Sequence, residues 1–207
     1  PIASINLCLD TLERIYKTQP EKVETYLKRA RISSKRLISQ VDRALAIAGA
    51  DSIVSETSLV LLDELVAELT EEIRETYPKT SFSIIKSNIS IQLPKNEVRS
   101  VLYSVIENAA KYSSHFCDEP SVVISISESN SGPLVKIKDN GPGLGEAGDY
   151  LFKAFSRGKW ATENAVEGTG LGLHLAHKVA QKWGWTIAVS DNIDESGLSV
   201  SLRLVSV

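Results

Sequence analysis

Residues 121–145 read SVVISISESNSGPLVKIKDNGPGLG and carry the strongest fold signal in the chain. Two short runs, at 121–128 and 133–138, alternate Val, Ile or Leu with Ser or Lys. This period of two is typical of strands with one buried and one solvent-facing side. The second run ends in Asp-Asn-Gly-Pro-Gly-Leu at 139–144, where two glycines let the backbone approach a ligand closely. The stretch therefore predicts a sheet with a binding loop at the end of a strand, although a plain Asp-Asn-Gly turn explains the same six residues.

Working outward, similar β-rich runs occur at 81–86, 185–190 and 198–205, and helical periodicity occurs at 58–76 and 95–113. We expect an α/β sandwich over 53–207, with a mixed or antiparallel sheet covered by helices on one side. The stretch 139–170 is rich in glycine and lacks periodicity. A loop of that length in a compact domain is usually functional.

The N-terminal segment has a different pattern, in which apolar residues recur at alternating steps of four and three. A seam of this period is typical of a coiled coil or helix bundle. Thr18–Glu21 looks like a turn with Pro20 at the first position of the second helix. We therefore expect residues 1–52 to form an antiparallel helical hairpin, which dimerises as a four-helix bundle or packs on the following domain. The seam consists of Ile2, Ile5, Leu9, Leu12, Tyr16, Val23, Leu27, Ala30, Ser34, Leu37, Val41, Ala44 and Ala48.

Composition excludes several classes of protein. Of 207 residues, 43% are hydrophobic and 24% are charged, which is ordinary for a globular protein and unlike a disordered or collagenous chain. No apolar run approaches the roughly 20 residues of a membrane span, and no signal peptide is visible. Only two cysteines occur, which favours a reducing cytoplasm. Because the chain starts at Pro1 and has no Met, we expect a fragment whose membrane attachment, if any, lies in other regions.

The charge distribution argues against a nucleic-acid partner. Residues 1–50 carry nine Lys and Arg against five Asp and Glu, whereas residues 51–207 carry fourteen against twenty-one. The whole chain has a formal net charge of −3 and lacks a basic stripe.

Three further strings carry chemistry. Gly168-Thr169-Gly170-Leu171-Gly172-Leu173 opens an apolar helix, where backbone N–H groups form a site suited to phosphates. In the string 107–113, Asn108 and Lys111 lie three residues apart and share a helix face. That face would place an amide oxygen able to bind Mg²⁺ beside an ammonium able to meet phosphate, although capping alone also explains both residues. The string 151–158 holds two aromatics and an Arg, and a hydrophobic anchor explains it equally well.

Taken in chain order, the strings at 107–113, 139–144, 151–158 and 168–173 resemble the N, G1, F and G2 boxes, respectively, of the GHKL ATPases. The resemblance is specifically to the sensor histidine kinases of two-component systems. The resemblance covers about 56–207, and the hairpin is similar to the dimerisation and histidine-phosphotransfer domain of those kinases. It implies ATP bound under a mobile lid at about 144–168. It also implies transfer of the γ-phosphoryl group from Mg-ATP to a hairpin His, for relay to an Asp of a response-regulator receiver domain.

The resemblance also implies residue roles. Asp139 would accept a hydrogen bond from the adenine amino group, Asn108 would coordinate Mg²⁺, and Lys111 would meet a phosphate. Tyr112 would cover the nucleotide. Gly141 and Gly143 would allow the backbone to approach the nucleotide closely. Phe152 and Phe155 would dock the lid, and Arg157 would reach the terminal phosphate. The lid hinge and the phosphate turn would be formed by Gly168, Thr169, Gly170, Leu171 and Gly172.

Two departures from the family pattern matter. Ser104 stands where family members often have a second Asn, and the expected phosphoacceptor His would lie five residues before Pro1. His115, His174 and His177 do not replace it, so we expect residues 1–207 to bind Mg-ATP without phosphorylating themselves. Alternatives are a GHKL ATPase of the chaperone, topoisomerase or mismatch-repair type, and a non-catalytic scaffold.

Overall fold

A computed structural model describes residues 2–48, 56–145, 150–156, 158–164, 166, 168, 170–192 and 196–206. These residues form two compact units, one at 2–48 and one at 56–206. The predicted domain boundary between 52 and 53 lies outside the described residues. None of the described helices combines the length and the apolar composition that a bilayer crossing needs.

The first unit is a helical hairpin made of α1 (Ile2–Ile15) and α2 (Pro20–Ala48). Pro20 is the first residue of α2, as predicted, where its fixed φ suits the helix and its missing N–H has no partner to lose. The Oγ atoms of Ser4 and Ser33 lie 3.2 Å apart, which places the start of α1 beside the middle of α2. The two helices are therefore antiparallel.

Burial in the hairpin differs from the predicted seam. Cys8 is only 6% exposed, whereas the seam residues Leu9, Tyr16 and Leu27 are 48%, 56% and 54% exposed. The physical reason is that two helices bury one narrow stripe each, and in α1 that stripe passes through Cys8. A dimeric bundle therefore stays a prediction.

The second unit is built on a five-stranded mixed sheet with strand order β2-β4-β5-β7-β6. The β2–β4 pair is parallel and the other pairs are antiparallel. Val122, Ile124 and Ile126 are buried while Val123 and Ser127 are exposed, so the predicted alternation is confirmed. The strands are β1 (Thr57–Leu61), β2 (Ser81–Ile85), β3 (Ser90–Pro94), β4 (Ser121–Ser127), β5 (Leu134–Asp139), β6 (Thr186–Asp191) and β7 (Leu198–Arg203).

Three helices cover the buried side of the sheet: α3 (Leu62–Thr76), α4 (Lys95–Phe116) and α6 (Gly172–Lys182). A short helix, α5 (Lys159–Glu163), lies within the stretch that the sequence predicts as loop. The core between sheet and helices is continuous, and burying each large aliphatic side chain in it contributes about 1.5–3 kcal/mol. α4 packs on the sheet, and its last turns carry Asn108 and Lys111 of the predicted site.

The sequence misassigns residues 58–61, which it predicts as helix. They belong to β1, which pairs antiparallel with β3 in a separate two-stranded sheet, Val60 opposite Ile91. The apolar run from Leu59 continues without a break into α3, so local periodicity cannot locate the change. The pairing partner, thirty residues away in the chain, decides the strand.

Candidate nucleotide-binding site

The site begins at Asp139, the last residue of β5. Its side chain is 7% exposed, and its Oδ1 accepts hydrogen bonds from the backbone N–H of Gly141 (2.8 Å) and of Leu198 (3.2 Å). Burial penalises the charged carboxylate and raises its pKa from 3.8 to about 6, although the two backbone N–H groups act in the opposite direction. The carboxylate is therefore mostly ionised at neutral pH. Among the described residues, no donor reaches Oδ2.

The loop after Asp139 packs directly against the end of α4. A Cβ added to Gly141 would lie 2.8 Å from Oδ1 of Asp139 and 3.3 Å from the backbone nitrogen of Ser113. Any side chain at Gly141 would therefore push the loop away from the helix. Because Gly141 has no side chain, the loop at 139–144 can pack against the end of α4. The implied close approach of this loop to a nucleotide stays a prediction.

Asn108, Lys111 and Tyr112 are half-buried on the last turns of α4. The amide of Asn108 has no hydrogen bond within the described part of the chain, so its oxygen is available for a hard cation such as Mg²⁺. Ser104 is 2% exposed and belongs to the buried side of the helix. The departure from the family pattern at Ser104 is therefore at a buried position, one helical turn before Asn108 on the same side of α4.

The side chain of Lys111, on α4, lies close to the second glycine string at 168–173. Its Nζ lies 3.2 Å from the position that a Cβ would take on Gly168 and 5.4 Å from the ring centroid of Tyr112. A phosphate group that reaches the G2 backbone would therefore find an ammonium close by.

The F and G2 strings also contact each other. Gly170 has a φ of +70°, and a Cβ on it would lie 2.6 Å from the carbonyl oxygen of Ser156. Leu171 precedes α6 and Gly172 is its first residue, and the side chain of Leu171 has no polar group that could cap this helix start. Its backbone N–H groups form the kind of helix N-terminus that binds phosphates.

The two aromatics of the F string behave differently. Phe152 is partly buried and packs against the core, and its role in docking the lid stays a prediction. Phe155 is 74% exposed, and its φ of +61° turns its side chain outward while its backbone packs against Gly170. The exposed ring of Phe155 does not support the predicted lid docking, which stays a prediction. Arg157 and Thr169 lie outside the described residues.

Three residues near the β6–β7 turn support the site and were not predicted. Oδ1 of Asp191 accepts a hydrogen bond from the backbone N–H of Leu144 at 2.5 Å, and Asn192 donates from Nδ2 to the backbone oxygen of Asp139 at 2.8 Å. Gly197 has a φ of +116°, and a Cβ on it would lie 1.9 Å from that same oxygen. A second strand ending in Asp-Asn, just before a turn glycine, is the signal that could have found them.

The turn also explains why Gly143 is a glycine. Its φ is +76°, and a Cβ on it would lie 2.8 Å from Oδ1 of Asp191. The G1 loop is therefore fixed from two directions, by α4 at Gly141 and by the β6–β7 turn at Gly143.

Comparisons with known proteins agree with this geometry. Residues 94–206 match the model of the family described as histidine kinase-, DNA gyrase B-, and HSP90-like ATPase. The signal transduction histidine-protein kinase ArlS of Staphylococcus aureus (strain USA300) is 24% identical over 200 residues, which cover 94% of this chain and 44% of ArlS. The chain thus spans less than half the length of the curated relatives it matches.

Solved structures show the same fold. The histidine kinase AdeS of Acinetobacter baumannii superposes with a TM-score of 0.66 at 19% identity, over 99% of this chain and 94% of that chain. The mycobacterial sensor histidine kinase MprB superposes with a TM-score of 0.61 at 21% identity, over 72% of this chain and 96% of that one. Since the family match covers more than half of the residues, the chain belongs to the family of histidine kinase-, DNA gyrase B- and HSP90-like ATPases, in which its resemblance is to the sensor histidine kinases.

Proposed function

We propose that residues 56–206 bind Mg-ATP and that the protein acts as the kinase core of a sensor histidine kinase. In this proposal the γ-phosphoryl group passes to a histidine of a helical hairpin and then to an Asp of a response-regulator receiver domain. The observation that carries the proposal is the convergence of a buried carboxylate at Asp139, the accessible amide of Asn108, the ammonium of Lys111 and the uncapped start of α6. A full-length structure of ShkA is described as a complex with AMPPNP, and it superposes with a TM-score of 0.65 over 90% of this chain.

Asp139 recognises the adenine end of the nucleotide. Its Oδ1 is held by two backbone N–H groups, so the ionised Oδ2 is the atom that accepts a hydrogen bond from the adenine amino group. A guanine base carries an oxygen acceptor at the corresponding position. Two acceptors facing each other would be unpaired and desolvated, so the same carboxylate selects ATP over GTP.

The phosphate end is served by α4 and α6. Phosphoryl transfer depends chiefly on positioning and on neutralising charge, and bound Mg²⁺ supplies much of that neutralisation. The Asn108 amide oxygen holds the metal, and Lys111 and the backbone N–H groups at Gly170–Gly172 hold phosphate oxygens. These groups fit the ligand because each is a donor or acceptor of the required kind, and because Lys111 lies beside Gly168, just before the start of α6.

The hairpin is proposed to provide the dimer. Leu9, Tyr16 and Leu27 expose about half of their surface in the single chain, and apolar side chains in such a row favour burial against a second copy. The phosphoacceptor is proposed to lie upstream of Pro1, because His115, His174 and His177 lie in the second unit.

The test is phosphorylation of a chain extended upstream through the expected histidine, using ATP labelled at the γ-phosphorus. We expect an acid-labile label on the extended chain and none on residues 1–207. Asn108→Ala should abolish labelling while metal-free ATP binding, measured by calorimetry with EDTA, stays within about twofold, because the amide is proposed to hold the metal and not the base.

Asn96→Ala is the matched control, because Asn96 is an exposed amide in the first turn of the same helix. It should label normally. Acid-stable labelling, or labelling at any of the three histidines of residues 1–207, would contradict the proposed acceptor. An equal loss of ATP binding with and without Mg²⁺ in Asn108→Ala would assign Asn108 a structural role at the helix end.

A further inference from the structure

Two histidines on α6 hold one residue of the F string from two sides. Nδ1 of His174 lies 2.8 Å from the backbone oxygen of Phe152. Because a carbonyl only accepts, Nδ1 carries the hydrogen of this bond. The ring of His177 stacks on the ring of Phe152, with centroids 4.6 Å apart and planes 22° from parallel.

These contacts continue a row that starts at the second glycine string. Gly170, His174 and His177 follow one another at steps of four and three, and they contact the segment 150–156 in reverse order. Gly170 contacts the end of this segment at Ser156, and the two histidines contact Phe152. The segment therefore lies along one face of α6, with its far end beside the proposed phosphate site.

The stacked ring of His177 is uncharged at neutral pH. Burial lowers its pKa, and the neighbouring His174 and Lys178 lower it further by repulsion of the cationic form. The contact with Phe152 is thus a stack of two neutral aromatic rings in an offset geometry of the favourable kind.

A metal site is the competing interpretation of two histidines on one helix face. The hydrogen on Nδ1 of His174 is engaged by a carbonyl, and the ring of His177 is covered by Phe152. The described part of the chain also holds no group of three His, Cys, Asp or Glu placed to bind a metal ion. The observed contacts therefore favour a role of the two histidines in holding Phe152 over a role as metal ligands.

We propose that His174 and His177 are positioning residues that clamp Phe152 to α6 and thereby hold the lid end at Phe155–Ser156 against Gly170. This inference rests on the proposed nucleotide site. The clamp acts through Phe152 on backbone geometry, and neither histidine contacts the nucleotide. With the clamp intact, the lid end stays beside the phosphate groups, so release of bound nucleotide is slow.

The first measurement is amide hydrogen exchange in the chain without nucleotide. The backbone N–H groups of Lys153 and Ser156 bond to Tyr150 and Lys153 within the clamped segment, so their exchange reports its opening. His174→Leu removes the donor and His177→Ala removes the stack. Each should speed this exchange about fivefold, as expected for the loss of one contact of about 1 kcal/mol.

Conservative variants provide the rescue that a merely structural histidine would not show. His174→Asn keeps an N–H donor near the position of Nδ1, and His177→Phe keeps an aromatic stack, so both should exchange like the parent chain. Gln181→Ala changes an exposed residue of the same helix and should also leave exchange unchanged. If one disruptive variant fails to fold, the other still tests the clamp, because His174→Leu and His177→Ala remove different contacts with Phe152.

The second measurement is release of Mg-ADP, followed by stopped-flow displacement of a fluorescent ADP analogue. We expect release to accelerate about fivefold in the two disruptive variants and to stay at the parent rate in the conservative ones. Unchanged exchange in the disruptive variants would overturn the clamp. Faster exchange with unchanged release would overturn its role in nucleotide retention.

The two measurements separate this inference from the proposed function. If the parent chain binds no Mg-ADP, the proposed function and the retention role both fail. Hydrogen exchange then still shows whether the histidines order the segment, because it is recorded without nucleotide.

Discussion

Replacing the buried carboxylate by an amide, Asp139→Asn, should separate its contribution to binding from its effect on stability. The amide oxygen can keep both backbone hydrogen bonds that Oδ1 now accepts, from Gly141 and Leu198. The amide nitrogen would then take the position of Oδ2 and present hydrogens where the adenine amino group also presents hydrogens. The fold is retained while the recognition atom changes from acceptor to donor.

The binding loss follows from the type of contact. A hydrogen bond to a charged acceptor contributes about 1.5–3 kcal/mol, so Asp139→Asn should weaken ATP binding roughly 10- to 100-fold. Preference for ATP over GTP should fall with it, because the acceptor that discriminates the two bases is removed.

The stability change has the opposite sign. The folded carboxyl has a pKa of about 6 against an ordinary value of 3.8, so the folded protein binds the proton more tightly than the unfolded chain. Stability is therefore lost as pH rises from about 4 to about 6 and is constant above that window. The difference corresponds to roughly 3 kcal/mol at pH 7, and an amide does not incur it.

The assay combines calorimetric titration of ATP and GTP with denaturant unfolding at pH 4 and pH 7. Asp139→Asn should bind ATP poorly, be more stable than the parent at pH 7 by up to about 3 kcal/mol, and lose that advantage at pH 4. Asp118→Asn, an exposed carboxylate in the nearby loop, is the control and should change neither quantity. Undiminished ATP affinity, or lower stability at pH 7, would refute the reasoning.

Two further predictions concern pH and the lid hinge. ATP affinity of the parent chain should rise about tenfold from pH 5 to pH 7, because binding requires an ionised Asp139 whose pKa is about 6, and calorimetry should find no such rise in Asp139→Asn. A flat profile in the parent chain would contradict the adenine contact. Gly170→Ala and Gly184→Ala place a side chain at nearly the same left-handed φ, +70° and +69°, but only the first also meets backbone, at Ser156. Unfolding should show a cost of about 1–2 kcal/mol in Gly184→Ala and a larger cost in Gly170→Ala, because of the additional contact with backbone. Only Gly170→Ala should weaken Mg-ATP binding in a titration, and equal affinities would remove Gly170 from the lid hinge.

The parts of the fold that the sequence predicts well are those with local signals. The alternation in β4 and the glycines after Asp139 follow from neighbouring residues alone, because strand faces and tight turns are set within a few positions. The hairpin seam is confirmed neither at Leu9, Tyr16 and Leu27, which are exposed, nor at Val41, Ala44 and Ala48, whose side chains lie outside the described part of the chain. Leu9 and Cys8 are adjacent in sequence, and the choice of which one is buried depends on the partner helix.

The parts that were missed depend on distant partners. β1 is a strand because residues 90–94 pair with it, and the backbone of Phe155 packs against Gly170, fifteen residues later in the chain. Asp191 and Asn192 support the site only because β7 pairs with β5 and β6 pairs with β7, which brings the end of β6 near the end of β5. Local propensity carries no information about such contacts.

The support of Asp139 by the β6–β7 turn has a consequence for biosynthesis. The amide that fixes its carboxylate comes from a residue fifty-nine positions later in the chain, and Asn192 and Gly197 are nearly as far. During synthesis from the N-terminus, the helical hairpin leaves the ribosome long before this turn, and domains generally fold as units in that order. The nascent hairpin can therefore meet its neighbours while the surroundings of Asp139 are still incomplete. If Asp139 recognises adenine as proposed, ATP cannot stabilise the second unit until its last strands have been made.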